Sequence, residues 1–231
     1  MTDSPRFSET ARLRDRLGQL AFSVVMVFGC SSSSTPHDDA PIADATSAID
    51  SLGADALVPD AAAGRKRVFV SGFPPTQGDL KTAGAGADGL AGGDNLCAAA
   101  ATRGALGGTW TAWLSTTAVN AIDRVADVGP WYRIDQTTLV FPTKAALLSP
   151  PLVPINIDET GAMASGLGGV WTGTLANGTV SAGNTCLDWT SASGVGTNNA
   201  QLGSWLVTTA GWTESGLRSC ATMYKIYCFE R

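Results

Sequence analysis

The chain has 231 residues, with 15 basic and 20 acidic side chains, five Cys and one His. Charged residues make up 15 %, well under the roughly 25 % of an average soluble domain, while Gly (27) and Trp (7) are plentiful. The single His37 lies in a Ser/Asp/Ala-rich stretch near the start, so the remaining chain has no imidazole for a nucleophile–His system or a His-based zinc site; an acidic balance without a basic run excludes nucleic acid as the partner.

Arg6, Arg12, Arg14 and Arg16 precede the apolar run Leu20–Gly29, and Cys30 follows. A basic segment before a short apolar one has the layout of a secretory signal. Ten residues are too few to span a bilayer, which takes about 20. The ending Val27-Phe28-Gly29-Cys30 resembles a bacterial lipobox and predicts cleavage after 29 and lipidation of Cys30. Residues 30–65 then read as a tether. Positions 31–64 hold six Asp, no Lys or Arg, and Pro36, Pro41 and Pro59, a composition that cannot bury enough surface to fold. The acidity of the chain comes largely from this stretch, because 66–231 carries ten basic against eleven acidic side chains. The expected organisation is a signal over 1–29, a lipidated tether over 30–65 and one folded domain over 66–231.

Within that domain, Lys66–Phe73 alternates as a strand and Pro74-Pro75 stops it. A Gly-rich loop over 78–93 leads to Asp94, predicted as the cap of an Ala-rich helix that Gly104 ends. Thr109–Ser115 reads as a second strand, and Thr116–Val125 as a short helix with Asn120, Asp123 and Arg124 on its surface. Trp131–Asp135 and Thr138–Phe141 suggest a hairpin about Gln136-Thr137. Ile155–Ile157 precedes the acidic turn Asp158–Gly161, and Val170–Thr172 is a strand with a turn signal at Asn177-Gly178. Cys186–Ser191 reads as a strand, followed by a polar loop to Gly203 and a final strand over Ser219–Glu230. Helices early and short strands late give an α+β class.

With Cys30 assigned to lipid, Cys97, Cys186, Cys220 and Cys228 remain. An even number in an exported domain implies two disulfides, and the sequence permits three connectivities.

The order of these motifs resembles the C-type-lectin-like fold, and within it the endostatin-like bacterial outer-membrane lipoproteins of the leptospiral adhesin type. The resemblance is carried by Arg67–Ser71, Cys97 in its Ala-rich helix, Trp110–Ser115, Asn120–Arg124, Gly129–Trp131, Pro154–Glu159, Val170–Thr174, Cys186–Ser191 and Tyr227–Glu230, and it covers nearly all of 66–231. It implies two early helices, short antiparallel strands, long loops, and disulfides Cys97–Cys228 and Cys186–Cys220. It also implies a surface-exposed outer-membrane module that binds a protein or glycan. The triplets by which calcium-dependent lectins hold ion and sugar are missing, as are the His residues with which vertebrate endostatins bind zinc, so neither activity carries over.

Asp158 and Glu159 form the one adjacent acidic pair of the domain. They are candidate ligand contacts, with a hydrogen-bonded turn as the preferred alternative. Asp188 is a third candidate. No cofactor is called for, beyond a calcium ion that such oxygens could hold. Trp113, Trp171 and Trp189 read as core. Trp205 and Trp212, near loop-rich ends, are candidate ligand-binding aromatics. Lys144, Arg103 and Arg218 read as solvated charges. The expected function is non-catalytic binding of a macromolecule at the cell envelope, through loops within 158–218. The alternatives are a hydrolase using Asp158, Glu159 or Asp188, and a structural envelope protein.

Overall fold

The computed structural model describes residues 65–231; the expected signal, the expected lipidation at Cys30 and nearly all of the expected tether lie outside the described residues. Its strands are β1 (Lys66–Val70), β2 (Trp110–Ala112), β3 (Trp131–Tyr132), β4 (Leu139–Phe141), β5 (Gly169–Trp171), β6 (Asn199–Ser204), β7 (Gly216–Ser219) and β8 (Lys225–Glu230). Three right-handed helical segments join them: α1 (Leu80–Ala83), α2 (Gly89–Arg103) and α3 (Ala121–Arg124). Among the described residues, none of these helices is long and apolar enough to cross a membrane.

The strands form one mixed sheet in the order β4-β3-β1-β8-β5-β6-β7. The strand β8 lies at its centre. It pairs antiparallel with β1, where Phe69 faces Cys228, and antiparallel with β2, where Ala112 faces Cys228. Its first residues pair parallel with β5, where Val170 faces Lys225. The strand period of two sorts side chains onto opposite faces, and here both faces are buried. Phe69, Ile226, Cys228 and Trp171 enter one apolar cluster with Cys97 and Ala100 of α2. Their chain neighbours Val68, Val70, Tyr227, Phe229 and Val170 enter a second cluster with Trp113, Trp131 and Trp212. Strands covered on both sides read as near-continuous apolar runs, which is why β1 and β8 are plain in the sequence. The α+β class therefore stands.

The helix α2 starts earlier than its Ala-rich stretch suggests. Asp88 caps it by accepting from the Ala91 amide at 2.8 Å, and the expected cap Asp94 lies inside it. Glycine in a helix costs about 1 kcal/mol relative to Ala, so local preference favours a loop over 78–93. Packing overrides it. A Cβ on Gly92 would overlap the Leu80 carbonyl, and one on Gly93 would press on Leu114 at 2.5 Å. The glycines let α1 lie backbone to backbone against the first turn of α2. Asp94 instead receives the Ala112 amide (2.8 Å) and pairs with Arg124 (2.8 Å) and Arg231 (3.0 Å). Arg124 is thus not a surface residue of its helix. That helix also shrinks to one turn, because the Ser115 hydroxyl accepts from the Ala121 amide (2.9 Å) and starts it late.

Both disulfides form, as Cys97–Cys228 and Cys186–Cys220. The first joins α2 to β8. The second anchors a segment that differs from expectation. Cys186–Trp189 is not a strand: Cys186, Leu187, Asp188 and Trp189 all have φ between 51° and 65°. They make one left-handed helical turn closed by Trp189 N–H to Thr185 O (2.8 Å). Such a conformation costs roughly 1–2 kcal/mol per L-residue, so propensity could not have announced it. Close approach holds it in place: a Cβ on Gly89 would overlap the Asp188 carbonyl, and one on Gly78 the Cys186 sulfur. Two further corrections follow. The expected polar loop to Gly203 contains β6, whose Ala200 and Leu202 point into the core. The expected final strand Ser219–Glu230 keeps only its end, β8; a turn at 220–222 precedes it, and Ser219 instead closes β7, which pairs with β6.

Candidate binding cleft

The three carboxylates singled out in the sequence do not converge. Asp158 stitches its own turn, with Oδ1 accepting from the Thr160 amide (2.8 Å), the Thr160 hydroxyl (2.7 Å) and the Ala162 amide (3.2 Å). Glu159 is 1 % exposed, accepts from the Gly72 amide at 2.6 Å and ion-pairs with Arg103. Arg103 also lies 3.2 Å above the Phe73 ring, so it is not merely a solvated charge. Asp188 lies in another neighbourhood and accepts from the Thr117 hydroxyl (2.6 Å), the Thr117 amide (2.8 Å) and the Thr185 hydroxyl (3.0 Å). Burial alone would raise the pKa of Asp188. The bonds from Thr117 and Thr185 outweigh it and hold the carboxyl below its ordinary value. Among the described residues no group of three or more His, Cys, Asp or Glu is placed to hold a metal ion.

The seven tryptophans divide by what their indole N–H does. Trp110, Trp113, Trp131, Trp171 and Trp189 donate to Gly107 O, Thr213 Oγ1, Glu230 O, Thr76 O and Ser115 O, all within 2.8–3.0 Å. They are structural, as expected for Trp113, Trp171 and Trp189. Trp212 corrects the sequence reading. It is 1 % exposed and packs at 5.0 Å from Trp113 and 5.1 Å from Phe141, so it belongs to the core. Apolar contacts from three elements pull it in, which its loop-like neighbours in sequence conceal. Trp205 is also buried, at 2 %, yet its side chain lines a cleft.

That cleft has a volume of about 230 Å³ and is walled by Trp205, Tyr224, Leu167, Met223, Pro75 and the stem of Lys225. Each wall has a cause. Tyr224 is fixed by reciprocal backbone bonds with Thr76 (2.9 Å each) and an edge-on contact with Trp171 at 4.9 Å. Trp205 is tied through its amide to Gly168 O at 3.1 Å. Leu167, flanked by Gly166 and Gly168 at positive φ, stands 85 % exposed on the rim. Lys225 is buried, and its Nζ donates to Ser71 O (2.9 Å) and Phe73 O (3.4 Å), 6.0 Å from the Trp205 ring. Burial pushes its pKa below the ordinary lysine value. Glu159 and Asp158 oppose that shift and Arg103 adds to it. Pro75 and Met223 also line a second cleft of about 310 Å³, reaching Thr76, Gln77, Asp79 and Thr82.

Sequence reasoning placed Trp205 in a site but missed Met223, Tyr224, Lys225 and Pro75, which lie outside 158–218. The one available signal was Leu167, a large apolar residue set among glycines. Against known proteins, the chain matches no family model and no curated protein.

Proposed function

We propose that this chain is a lipid-anchored outer-membrane protein of the bacterial envelope, exposed at the cell surface. Its folded part is a binding module of the C-type-lectin-like, endostatin-like kind, recognising a macromolecular ligand without turning it over. The fold assignment is supported by the helix-to-last-strand disulfide, the nested inner one and the antiparallel β1–β8 pair that brings the two ends of the domain together. The anchor rests on the lipobox-like ending at Cys30. One contrast carries the functional reading. Asp158, Glu159 and Asp188 are each engaged in holding backbone, whereas the cleft leaves the apolar side chains of Leu167 and Met223 exposed beside Trp205 and Tyr224. Groups fixed by several bonds are poor proton shuttles, while an open apolar wall suits a ligand.

The test is saturable binding of the full chain to purified extracellular-matrix and envelope macromolecules, alongside turnover assays with glycoside and peptide substrates. Binding weakened by Leu167→Ser with no turnover is the expected result. Turnover abolished by Asp188→Asn would overturn the proposal in favour of a hydrolase. Metabolic labelling with palmitate, lost in Cys30→Ala, checks the anchor, and protease accessibility on intact cells checks the surface location.

A further inference from the structure

We infer that the two disulfides have different roles: Cys97–Cys228 is permanent, and Cys186–Cys220 is a redox switch that a dithiol opens in the folded protein, resetting the surface around the clefts. The switch reaches beyond the binding reading above and is tested without a ligand. Three observations lead to it, and the first is the backbone. Cys97 lies in the right-handed helix α2 and Cys228 in the central strand β8, so breaking their bond releases no unfavourable conformation. Cys186 instead starts four consecutive non-glycine residues at φ 51–65°, a geometry that L-residues disfavour. Relaxation of that turn when the sulfurs part drives reduction forward. The two closures act in the same direction. A bond closing 34 residues stabilises the fold less than one closing 131, and by linkage the fold stabilises it less in return.

The second observation is what covers the bond. Against Cys220 lies the loop 191–198: Asn198 Oδ1 is 3.4 Å from the Cys220 sulfur, and a Cβ on Gly194 would stand 3.0 Å from Ala221 and Ser219. Residues 193–197 of this loop are exposed, and its one large apolar side chain, Val195, is 83 % exposed. Asn198 closes the base by donating to Ser191 Oγ (2.7 Å) and Ser193 O (3.0 Å). Such a loop lifts by local opening while the sheet stays folded. The third observation is what the bond holds. Cys220 begins the turn that leads to Met223 and Tyr224, which wall the first cleft, and Met223 also lines the second with Ala192. On the Cys186 side, Leu187, Ser191, Ser193 and Val195 line a further cleft of about 350 Å³. In the reaction, one thiolate of the reductant attacks a sulfur of the pair, forming a mixed disulfide and expelling the other cysteine as a thiolate. The reductant's second thiolate then attacks its own bonded sulfur and releases the remaining cysteine. Two electrons and two protons reach the protein, and the reductant leaves as a cyclic disulfide.

The test equilibrates the full chain across ratios of reduced to oxidised dithiothreitol, quenches with acid, alkylates, and maps each Cys by mass spectrometry. Cys186 and Cys220 should open at a ratio about tenfold lower than Cys97 and Cys228. At ratios between the two, hydrogen exchange should quicken at 185–198 and 220–224 and stay slow in β1 and β8. Leu187→Gly, at a position 70 % exposed, removes the side chain's opposition to the left-handed backbone without loss of packing. It should move the opening of Cys186–Cys220 to a ratio about threefold higher. Joint opening of both pairs, earlier opening of Cys97–Cys228, or unchanged exchange at 185–198 in the selectively reduced chain overturns the switch. So does a Leu187→Gly chain that opens at the parent's ratio or below it.

Discussion

The sheet around β8 and the segment from Thr174 to Asn198 hold their shape by different means. In the first, backbone pairs with backbone in register, and apolar side chains cover both faces. In the second, single side chains clamp single backbone groups. Trp189 Nε1 donates to Ser115 O at 2.8 Å, Asp188 receives the Thr117 amide, and Asn198 Nδ2 donates to Ser193 O at 3.0 Å. A ladder distributes its stabilisation over many residues. A set of clamps concentrates it in a few, and permits a backbone such as the left-handed turn at Cys186–Trp189 that no ladder would tolerate.

Substitutions that cut one mode and spare the other test this contrast. The largest effect is expected from Cys97→Ala with Cys228→Ala, which opens a closure spanning 131 residues. The chain-entropy view puts the loss at about 4–5 kcal/mol, read as a lower denaturant midpoint. Next comes Arg103→Met, which leaves the buried Glu159 carboxylate without its ion pair. Breaking a buried pair costs about 3–5 kcal/mol, and because the Arg103 side chain is partly open to water the loss should fall near the lower end.

Removing Cys186–Cys220 should cost less than its closure of 34 residues suggests. The chain-entropy contribution is roughly 3–4 kcal/mol. Relaxation of left-handed residues that each cost roughly 1–2 kcal/mol offsets part of it. Hydrogen exchange should then quicken at 185–190 but not in β1 or β8; equal loosening of both would break the contrast. Asp188→Asn has the smallest effect, about 1 kcal/mol, and a pH signature. The folded-state pKa of Asp188 is lowered, so its stabilisation is present above the ordinary value of 3.8 and is lost as pH falls below it toward the folded value. The variant should lose part of that acid-side slope. Asp135, also held below its ordinary value despite the opposing effect of burial, through bonds from Thr138 and Thr137, should keep a contribution of the same sign.

The same contrast explains what could be read in advance. The strands β1 and β8, the Gly104 cap, the hairpin at Gln136-Thr137 and the Asn177-Gly178 turn follow from local pattern, since apolar runs and turn residues act over a few positions. The start of α2 did not, because its glycines answer to Leu80, Leu114 and the Asp188 carbonyl, which are brought near only by folding. The left-handed turn was equally hidden: Cys186-Leu-Asp-Trp189 has strand-like content, and its geometry is imposed by a disulfide and two glycine contacts. In the cleft, Trp205 was legible as a large aromatic near loops. Tyr224 and Lys225 looked like ordinary members of a long terminal strand, and nothing local shows that Tyr224 bridges Thr76 and so brings the end of β8 beside Pro75 and Leu167.

The central place of β8 constrains the order in which the molecule can assemble. Its neighbours β1, β2 and β5 begin 159, 115 and 56 positions upstream (225 − 66, 225 − 110 and 225 − 169), so no part of the central ladder can close before residues 225–230 are available. Non-local pairing of this sort slows folding and leaves strand edges bare meanwhile. A chain emerging from its amino end would therefore stay an open thread and snap shut late, with Cys97 waiting as a thiol until Cys228 arrives.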